Sequence, residues 1–254
     1  MDSLKGKKAL VTGGGSGIGR AVAKELARWG AEVAIHYHTS RQPAEELALK
    51  LQTDGGHAFT LGGDLTQESS VRGVIDALRE RFGGLDVLVN NTGDLVARQT
   101  LEGMSLDFLR RVMAVNLESM MLVTREAIPL MKNREHGASI VNLASLAGRK
   151  GGHPGSLAYS TAKGAVLTWT KSLATELAPF GIRVNAVAPG LILGSRFHAV
   201  HTTEESKRQT IASIPLGRAG TCNDVARAVA FLASETNGFI TGATLDVNGG
   251  AYLP

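Results

Sequence analysis

The chain has 254 residues, 43% of them hydrophobic and 20% charged, which suits one large α/β domain or two small ones and an ordinary soluble globule. A formal net charge of +4 without a long Lys/Arg run gives little support to nucleic-acid binding, and its mild positive field favours an anionic cofactor or substrate. The single cysteine, Cys222, excludes an intramolecular disulfide and a cysteine-built metal centre.

Residues 7–14, KKALVTGG, are a short apolar run ending in glycines and read as a strand. Residues 18–30 repeat apolar positions at helical spacing and stop at Gly30. Residues 31–37 read as a strand, and 41–56 as a helix with Pro43 near its first turn. A strand over 57–64, a helix over 67–84 and an apolar run over 85–93 follow. One long helical stretch is expected over 105–133, a strand over 138–145, and a long helix over 156–181 ended by Pro179 and Gly181. A strand over 182–190 precedes a stretch without clean period, 191–214, then a helix over 223–234 and a last strand over 243–250. Strands alternating with helices of this length predict right-handed βαβ crossovers and a parallel sheet. The strands are continuous apolar runs, as expected when helices cover both faces. The expected architecture is a single-domain, Rossmann-type doubly wound α/β fold over residues 1–254, without linker or repeat.

TGGGSGIG, residues 12–19, sits where the first strand turns into the first helix. In an open parallel sheet, ligands bind beyond the carboxyl ends of the strands. Glycines there let a pyrophosphate approach the backbone, and the helix N-terminus supplies N–H groups and a favourable dipole. The spacing Gly13, Gly17, Gly19 is not the commonest Gly-x-Gly-x-x-Gly, and no Gly-Lys-Ser/Thr follows, which counts against a nucleotide triphosphatase.

In YSTAK, residues 159–163, Tyr159 and Lys163 stand four apart and share a helical face. A free phenol has a pKa of about 10. A nearby ammonium favours the phenolate and is expected to lower that value, giving a proton donor and acceptor near neutrality. From spacing alone, a packed tyrosine and a solvated lysine are the plainer reading.

These segments do not stand alone. TGGGSGIG (12–19), NNTG (90–93), VNL (115–117), Ser145 fourteen residues before Tyr159, YSTAK (159–163), PG (189–190) and LDVNGG (245–250) occur in an order and spacing that resembles short-chain dehydrogenases/reductases. The resemblance covers nearly the whole chain and is nearest to 3-oxoacyl-[acyl-carrier-protein] reductases and sugar or polyol dehydrogenases. It implies an NAD(P)-dependent oxidoreductase moving hydride between nicotinamide and a ketone or secondary alcohol. It implies that Tyr159 exchanges the proton, that Ser145 hydrogen-bonds the substrate oxygen, and that Lys163 also holds the nicotinamide ribose. Asn116 would anchor a water-linked proton relay. The cofactor contacts it implies are Gly13, Ser16, Gly17, Ile18 and Gly19 in the loop, Tyr37, Thr39 and Ser40 after the second strand, and Asp64 and Leu65 at the adenine. Asn91, Gly93, Tyr159, Lys163, Pro189, Gly190 and Ile192 complete the set.

A carboxylate ending the second strand would hold the ribose 2′-hydroxyl of NAD and repel the 2′-phosphate of NADP. Here Tyr37 takes that place, no acid occurs between Glu32 and Glu45, and Thr39, Ser40 and Arg41 follow. NADP(H) is the expected cofactor, with NAD(H) possible. Ser16, where many NADP enzymes of the family carry Arg or Lys, speaks against it, and Arg41 also reads as a solvated helix-start residue. Asp64 also reads as a helix cap. The chain departs from the family at Thr92, where alanine is usual, and at Gly194, where threonine is common.

The resemblance implies that residues 191–214 form a mobile substrate lid, here holding Arg196, Phe197, His198 and His201. Arg196 and His198 suit an anionic substrate, or are simply solvated. The spacing of His198 and His201 is not taken as a metal site, and none is expected. Arg149, Lys150 and His153 are placed at the mouth. Arg125, Lys132 and Arg134 offer a basic rim for an acidic carrier or an ordinary helix face. The favoured activity is NADPH-dependent reduction of a 3-oxoacyl or small carbonyl substrate, the alternative an acidic sugar, polyol or keto acid. A catalytically idle dinucleotide sensor is the reading from another class, and the intact Ser145, Tyr159 and Lys163 argue against it. The expected partner is a small molecule, with no nucleic acid and no membrane, since no apolar run of about 20 residues occurs. The resemblance implies a homotetramer, with a dimer possible, and a cytoplasmic location is expected because no signal peptide precedes the first strand.

Overall fold

The computed structural model describes residues 3–194 and 200–253. In chain order these form β1 (Lys8–Val11), α1 (Gly17–Arg28), β2 (Glu32–Tyr37), α2 (Arg41–Thr53), β3 (Ala58–Gly62), α3 (Glu68–Phe82), β4 (Val87–Asn90), α4 (Leu106–Met113) and α5 (Ser119–Met131). Then come β5 (Ala138–Leu143), α6 (Leu146–Lys150), α7 (Leu157–Leu177), β6 (Ile182–Pro189), β7 (Ile192–Leu193), α8 (Glu204–Ala212), β8 (Gly220–Thr221), α9 (Cys222–Ala233) and β9 (Thr244–Val247).

Seven strands make one sheet in the order β3-β2-β1-β4-β5-β6-β9, and every pairing is parallel. The order reverses between β1 and β4, so their carboxyl ends open a crevice at the switch point. Alternation along each strand divides two cores. Ala9, Val11, Val33, Ile35, Val87 and Val89 pack with α1, α2 and α9, whereas Leu10, Ala34 and Leu88 pack with α3, α5 and α7. The continuous apolar strands are therefore covered on both faces, as expected.

The structure departs from the sequence expectations in how elements end. The strands over 57–64, 85–93 and 243–250 are shorter than expected, because their glycine and polar ends peel off the sheet edge as loops. The single helix expected over 105–133 is three pieces: α4, a π-helical turn over Ala114–Glu118, and α5. Asn116 lies in that turn and its side-chain amide donates to the carbonyl of Val112, 2.9 Å away, one turn back. A side chain competing with the helix ladder in this way accompanies the wider turn. The aperiodic stretch 191–214 contains β7 and α8, the latter capped by Thr203, whose hydroxyl accepts from Ser206 N at 3.2 Å. The five-residue α6 was not anticipated.

Candidate active site

The glycine loop follows Val11 at the end of β1. Thr12 Oγ1 accepts from the backbone N–H groups of Asn91 (2.9 Å) and Thr92 (3.1 Å), and the Asn91 amide donates to the carbonyls of Thr12 (2.9 Å) and Gly13 (3.2 Å). The loop after β4 thus holds the loop after β1. Gly13 has φ +62°, a left-handed conformation that favours glycine. A Cβ on Gly19, in the first turn of α1, would run into the Gly13 carbonyl and the Asn91 amide. Ser16 is the N-cap of α1 but its side chain makes no capping hydrogen bond, so the first N–H groups of this 12-residue helix lack a side-chain acceptor. Among the described residues, the buried Thr92 hydroxyl has no partner, and a Cβ on Gly13 would lie 3.4 Å from it. A bare helix N-terminus, glycines where side chains cannot fit and an unpartnered hydroxyl fit the diphosphate and ribose of a dinucleotide.

Across the crevice, Ser145 follows β5 and caps α6, its hydroxyl accepting from Ala147 N at 3.1 Å. Tyr159 and Lys163 lie in the first two turns of α7. Gly148 brings α6 close to α7, since a Cβ there would come within 2.6 Å of the Lys163 backbone. The Ser145 hydroxyl hydrogen-bonds that of Tyr159. The buried Lys163 ammonium donates to the Leu143 carbonyl at 2.7 Å and lies 5.9 Å from the Tyr159 ring centroid. A Cβ on Gly93 would come within 2.8 Å of Asn116 Oδ1 and 3.1 Å of Lys163 Nζ. Ser145, Tyr159, Lys163, Gly93 and Asn116 are therefore brought together.

The electrostatics differ from the sequence expectation. The Tyr159 phenol is not lowered by Lys163. Desolvation pushes it up to about 12, against the Ser145 hydrogen bond and with the Asp94 carboxylate adding to the rise. Desolvation also lowers the Lys163 ammonium to about 8. Two poorly solvated groups each shift toward the neutral form.

Asn116 uses its side chain on backbone. Its amide donates to Asp94 O (2.6 Å) and Val112 O, and its carbonyl accepts from Asp94 N at 3.1 Å. It fixes the loop after Gly93. Tyr37 ends β2 with its ring against Gly62 at the end of β3, and Ser40 stands against Gly15 of the glycine loop. Thr39 is exposed, and Arg41 is paired with Glu45 at 2.8 Å. Asp64 Oδ1 accepts from Thr66 N (3.0 Å) and Thr66 Oγ1 (2.8 Å), the turn that leads into α3, and the Leu65 side chain is in the core. Ile18 packs against the first core, Pro189 ends β6, Gly190 N donates to Val247 O at 3.0 Å, and Ile192 is buried in β7.

Arg196 and His198 lie outside the described residues. Arg149 pairs with Asp246 of β9 at 2.7 Å, and Lys150 donates to Ala251 O at 3.1 Å. The expected basic rim is engaged within the chain. Arg125 pairs with Glu68 (2.6 Å) and Glu126 (2.8 Å), Arg134 with Asp86 (2.8 Å), and Lys132 lies 3.7 Å from the Phe180 centroid. Among the described residues, no group of three or more His, Cys, Asp or Glu side chains is placed to hold a metal.

Three residues here escaped sequence reasoning. Asp94 lies 3.2 Å from His201 Nε2, and Arg98 donates to the carbonyls of His201 (3.1 and 3.3 Å) and Pro154 (3.1 Å), tying the 191–214 segment to the entrance of α7. Nothing in their local pattern marked them. The third, His36, did carry a signal: it is a polar residue inside an apolar strand.

A doubly wound parallel sheet with a glycine loop at its switch point defines a dinucleotide-binding α/β protein. The family model described as Enoyl-(Acyl carrier protein) reductase matches residues 13–252. The chain belongs to the short-chain dehydrogenase/reductase family, as an NAD(P)-dependent oxidoreductase acting on CH–OH and C=O groups. It is similar to the 3-oxoacyl-[acyl-carrier-protein] reductase FabG of Staphylococcus aureus, 40% identical over 247 residues, covering 97% of this chain and 98% of that protein. The FabG of Haemophilus influenzae is 40% identical over 250 residues, covering 98% and 100%. Among solved structures, an NADH-dependent reductase A1-R' responsible for alginate metabolism superposes with a TM-score of 0.91 at 36% identity, covering 100% of both chains. Among the described residues, no helix is long and apolar enough to cross a membrane.

Proposed function

We propose that this enzyme uses NADPH to reduce a 3-oxoacyl thioester or a similar small ketone with an apolar arm. The observation that carries the chemistry is the Ser145–Tyr159 hydrogen bond beside buried Lys163. Bound nicotinamide supplies the hydride. The Tyr159 phenol, held protonated by its raised pKa, gives its proton to the substrate oxygen, which is the reductive direction. Ser145 donates a hydrogen bond to the same oxygen. The Lys163 ammonium steadies the phenolate left behind, and Asn116 keeps the Gly93–Asp94 loop in place. Gly13, Ser16, Gly17, Ile18, Gly19, Asn91 and Gly93 would hold the diphosphate side, with Asp64, Leu65, Pro189, Gly190 and Ile192 around the rings.

Preference for NADP(H) over NAD(H) is supported by Tyr37 in place of an acid and by Ser40 beside Gly15. The acyl reading is supported by the two FabG relatives. It is also supported by the exposed Leu101, Leu157 and Val200, which flank the residues that Arg98 joins. A second reading, an acidic keto sugar or keto acid, draws on the alginate-metabolism relative and on Arg196 and His198. The same proposal makes the enzyme a cytoplasmic homotetramer, supported by exposed Phe231, Phe239, Leu245 and Leu253 near the β9 edge.

The test is NADPH and NADH oxidation against a β-ketoacyl thioester, a neutral ketose and a uronate-derived keto acid. Preference for the thioester with NADPH is expected. Preference for the keto acid would replace the acyl reading. Undiminished function in Tyr159→Phe would mark an idle dinucleotide sensor.

A further inference from the structure

His36 is the buried polar side chain of β2, 1% exposed in a strand that is otherwise apolar at its centre. A buried imidazole is tolerated when both nitrogens have partners. Nδ1 lies 3.2 Å from the backbone nitrogen of Gly13, and Nε2 lies 3.0 Å from the carbonyl oxygen of Gly63. An amide N–H only donates and a carbonyl only accepts. The tautomer follows: Nδ1 accepts from Gly13, Nε2–H donates to Gly63, and the ring is neutral. The backbone of the same residue adds a third link, its carbonyl accepting from Gly14 N at 2.7 Å. Gly63 N in turn donates to Tyr37 O at 3.0 Å. One residue therefore joins the turn of the glycine loop to the segment that precedes Asp64.

We propose that His36 is a positioning residue for the dinucleotide, clamping the glycine loop against the segment after β3 so that the loop's other N–H groups are preset for the cofactor. The proposal rests on reading residues 12–19 as the cofactor cradle. Gly13 and Gly14 N–H groups are occupied by His36, so binding falls to the amides of the loop beyond them and of the α1 start. The left-handed Gly13 conformation is held by that bond rather than left to fluctuate. A second proton on Nδ1 would set N–H against N–H and release the loop. The titratable groups that act on the ring are His38, two residues further along the chain, and Asp64 after β3, and from the glycine loop the Gly13 backbone faces it. Desolvation draws the imidazole down to about 4, which keeps the clamp closed at neutral pH.

The test uses full-length enzyme and NADPH and NADH as probes, with binding followed by cofactor fluorescence and loop order by amide exchange at Gly13 and Gly14. His36→Leu removes both side-chain links. His36→Asn keeps a short amide that can replace one. Expected for His36→Leu is a cofactor Kd raised about tenfold or more, faster exchange at Gly13, and a kcat at saturating cofactor close to wild type. His36→Asn should recover part of the affinity. Wild-type cofactor affinity in His36→Leu would overturn the proposal. So would a fall in kcat or a rise in ketone KM with cofactor Kd unchanged. If His36→Leu does not fold, His36→Asn decides: wild-type affinity with unprotected Gly13 exchange overturns the clamp, and weaker affinity with faster exchange supports it. Failure of the wild-type protein to bind either dinucleotide would instead overturn the reading of the cradle.

Discussion

Lys163 holds its ammonium in a site that is 4% exposed, with the Leu143 carbonyl as its hydrogen-bond acceptor. Its drop from 10.5 to about 8 means the folded chain releases this proton before the unfolded chain does. The group therefore destabilises the fold below pH 8, and stability recovers as pH rises from about 8 toward 10.5. The penalty is about 3 kcal/mol near neutrality. Lys163→Met would remove it while leaving Leu143 O without this donor, a loss of about 1–2 kcal/mol. The expected result is an inactive protein whose Tm rises by about 2–8 °C in a thermal melt; a lower Tm would show the ammonium to be structurally required. His36 acts at the acid end. Its folded value of about 4 lies below the ordinary 6.5, so the unfolded chain takes the proton first and stability falls as pH drops from about 6.5 to about 4. The expected loss is about 3 kcal/mol. Urea midpoints at pH 7 and pH 4.5 should differ more for wild type than for His36→Asn, and equal differences in the two proteins would refute this.

At the scale of elements, α1 and the loop before it carry the tightest steric demand. Gly19→Ala would press a methyl into the Gly13 carbonyl and the Asn91 amide, a clash expected to cost about 1–3 kcal/mol and to weaken cofactor binding. Calorimetry and NADPH titration would check both, and wild-type affinity would show that the loop can relax. The β4–α4 segment makes a different demand. Val96 has φ +65°, a strained conformation for a β-branched residue, and lies between Asp94 and Arg98, which grip His201 by ring and backbone. Arg98→Ala should raise the ketone KM about 3- to 10-fold and leave cofactor Kd unchanged; an unchanged KM would mean the grip does not position the segment around His201. The alternating strands and helices were readable because their apolar periods are local properties of the chain. The link from Asn116 to the loop after β4 was not, because its partners in the Asp94 backbone lie 22 residues away. The pairing of the basic residues has the same cause: Arg125 and Arg134 look free until Glu68 and Asp86 are folded beside them.

For the whole molecule, the edge strand β9 exposes Leu245, the end of α9 exposes Phe231, and the segment between them carries a fully exposed Phe239. An unpaired strand edge beside apolar side chains is a pairing surface. For the proposed homotetramer, Phe239→Glu should give a smaller species by light scattering, with the fold unchanged by circular dichroism; an unchanged mass would remove this surface from the proposal. The doubly wound sheet, the glycine loop and the grouping of Tyr159 with Lys163 follow from the sequence by itself, because they depend on neighbours within a few residues or on a motif order that one fold can satisfy. The tertiary structure alone decided the rest. It turned the Tyr159 shift upward, because desolvation outweighs the Ser145 hydrogen bond that opposes it. It also made a histidine in an apolar strand the link between two loops, because Gly13 and Gly63 meet only when β1, β2 and β3 lie side by side.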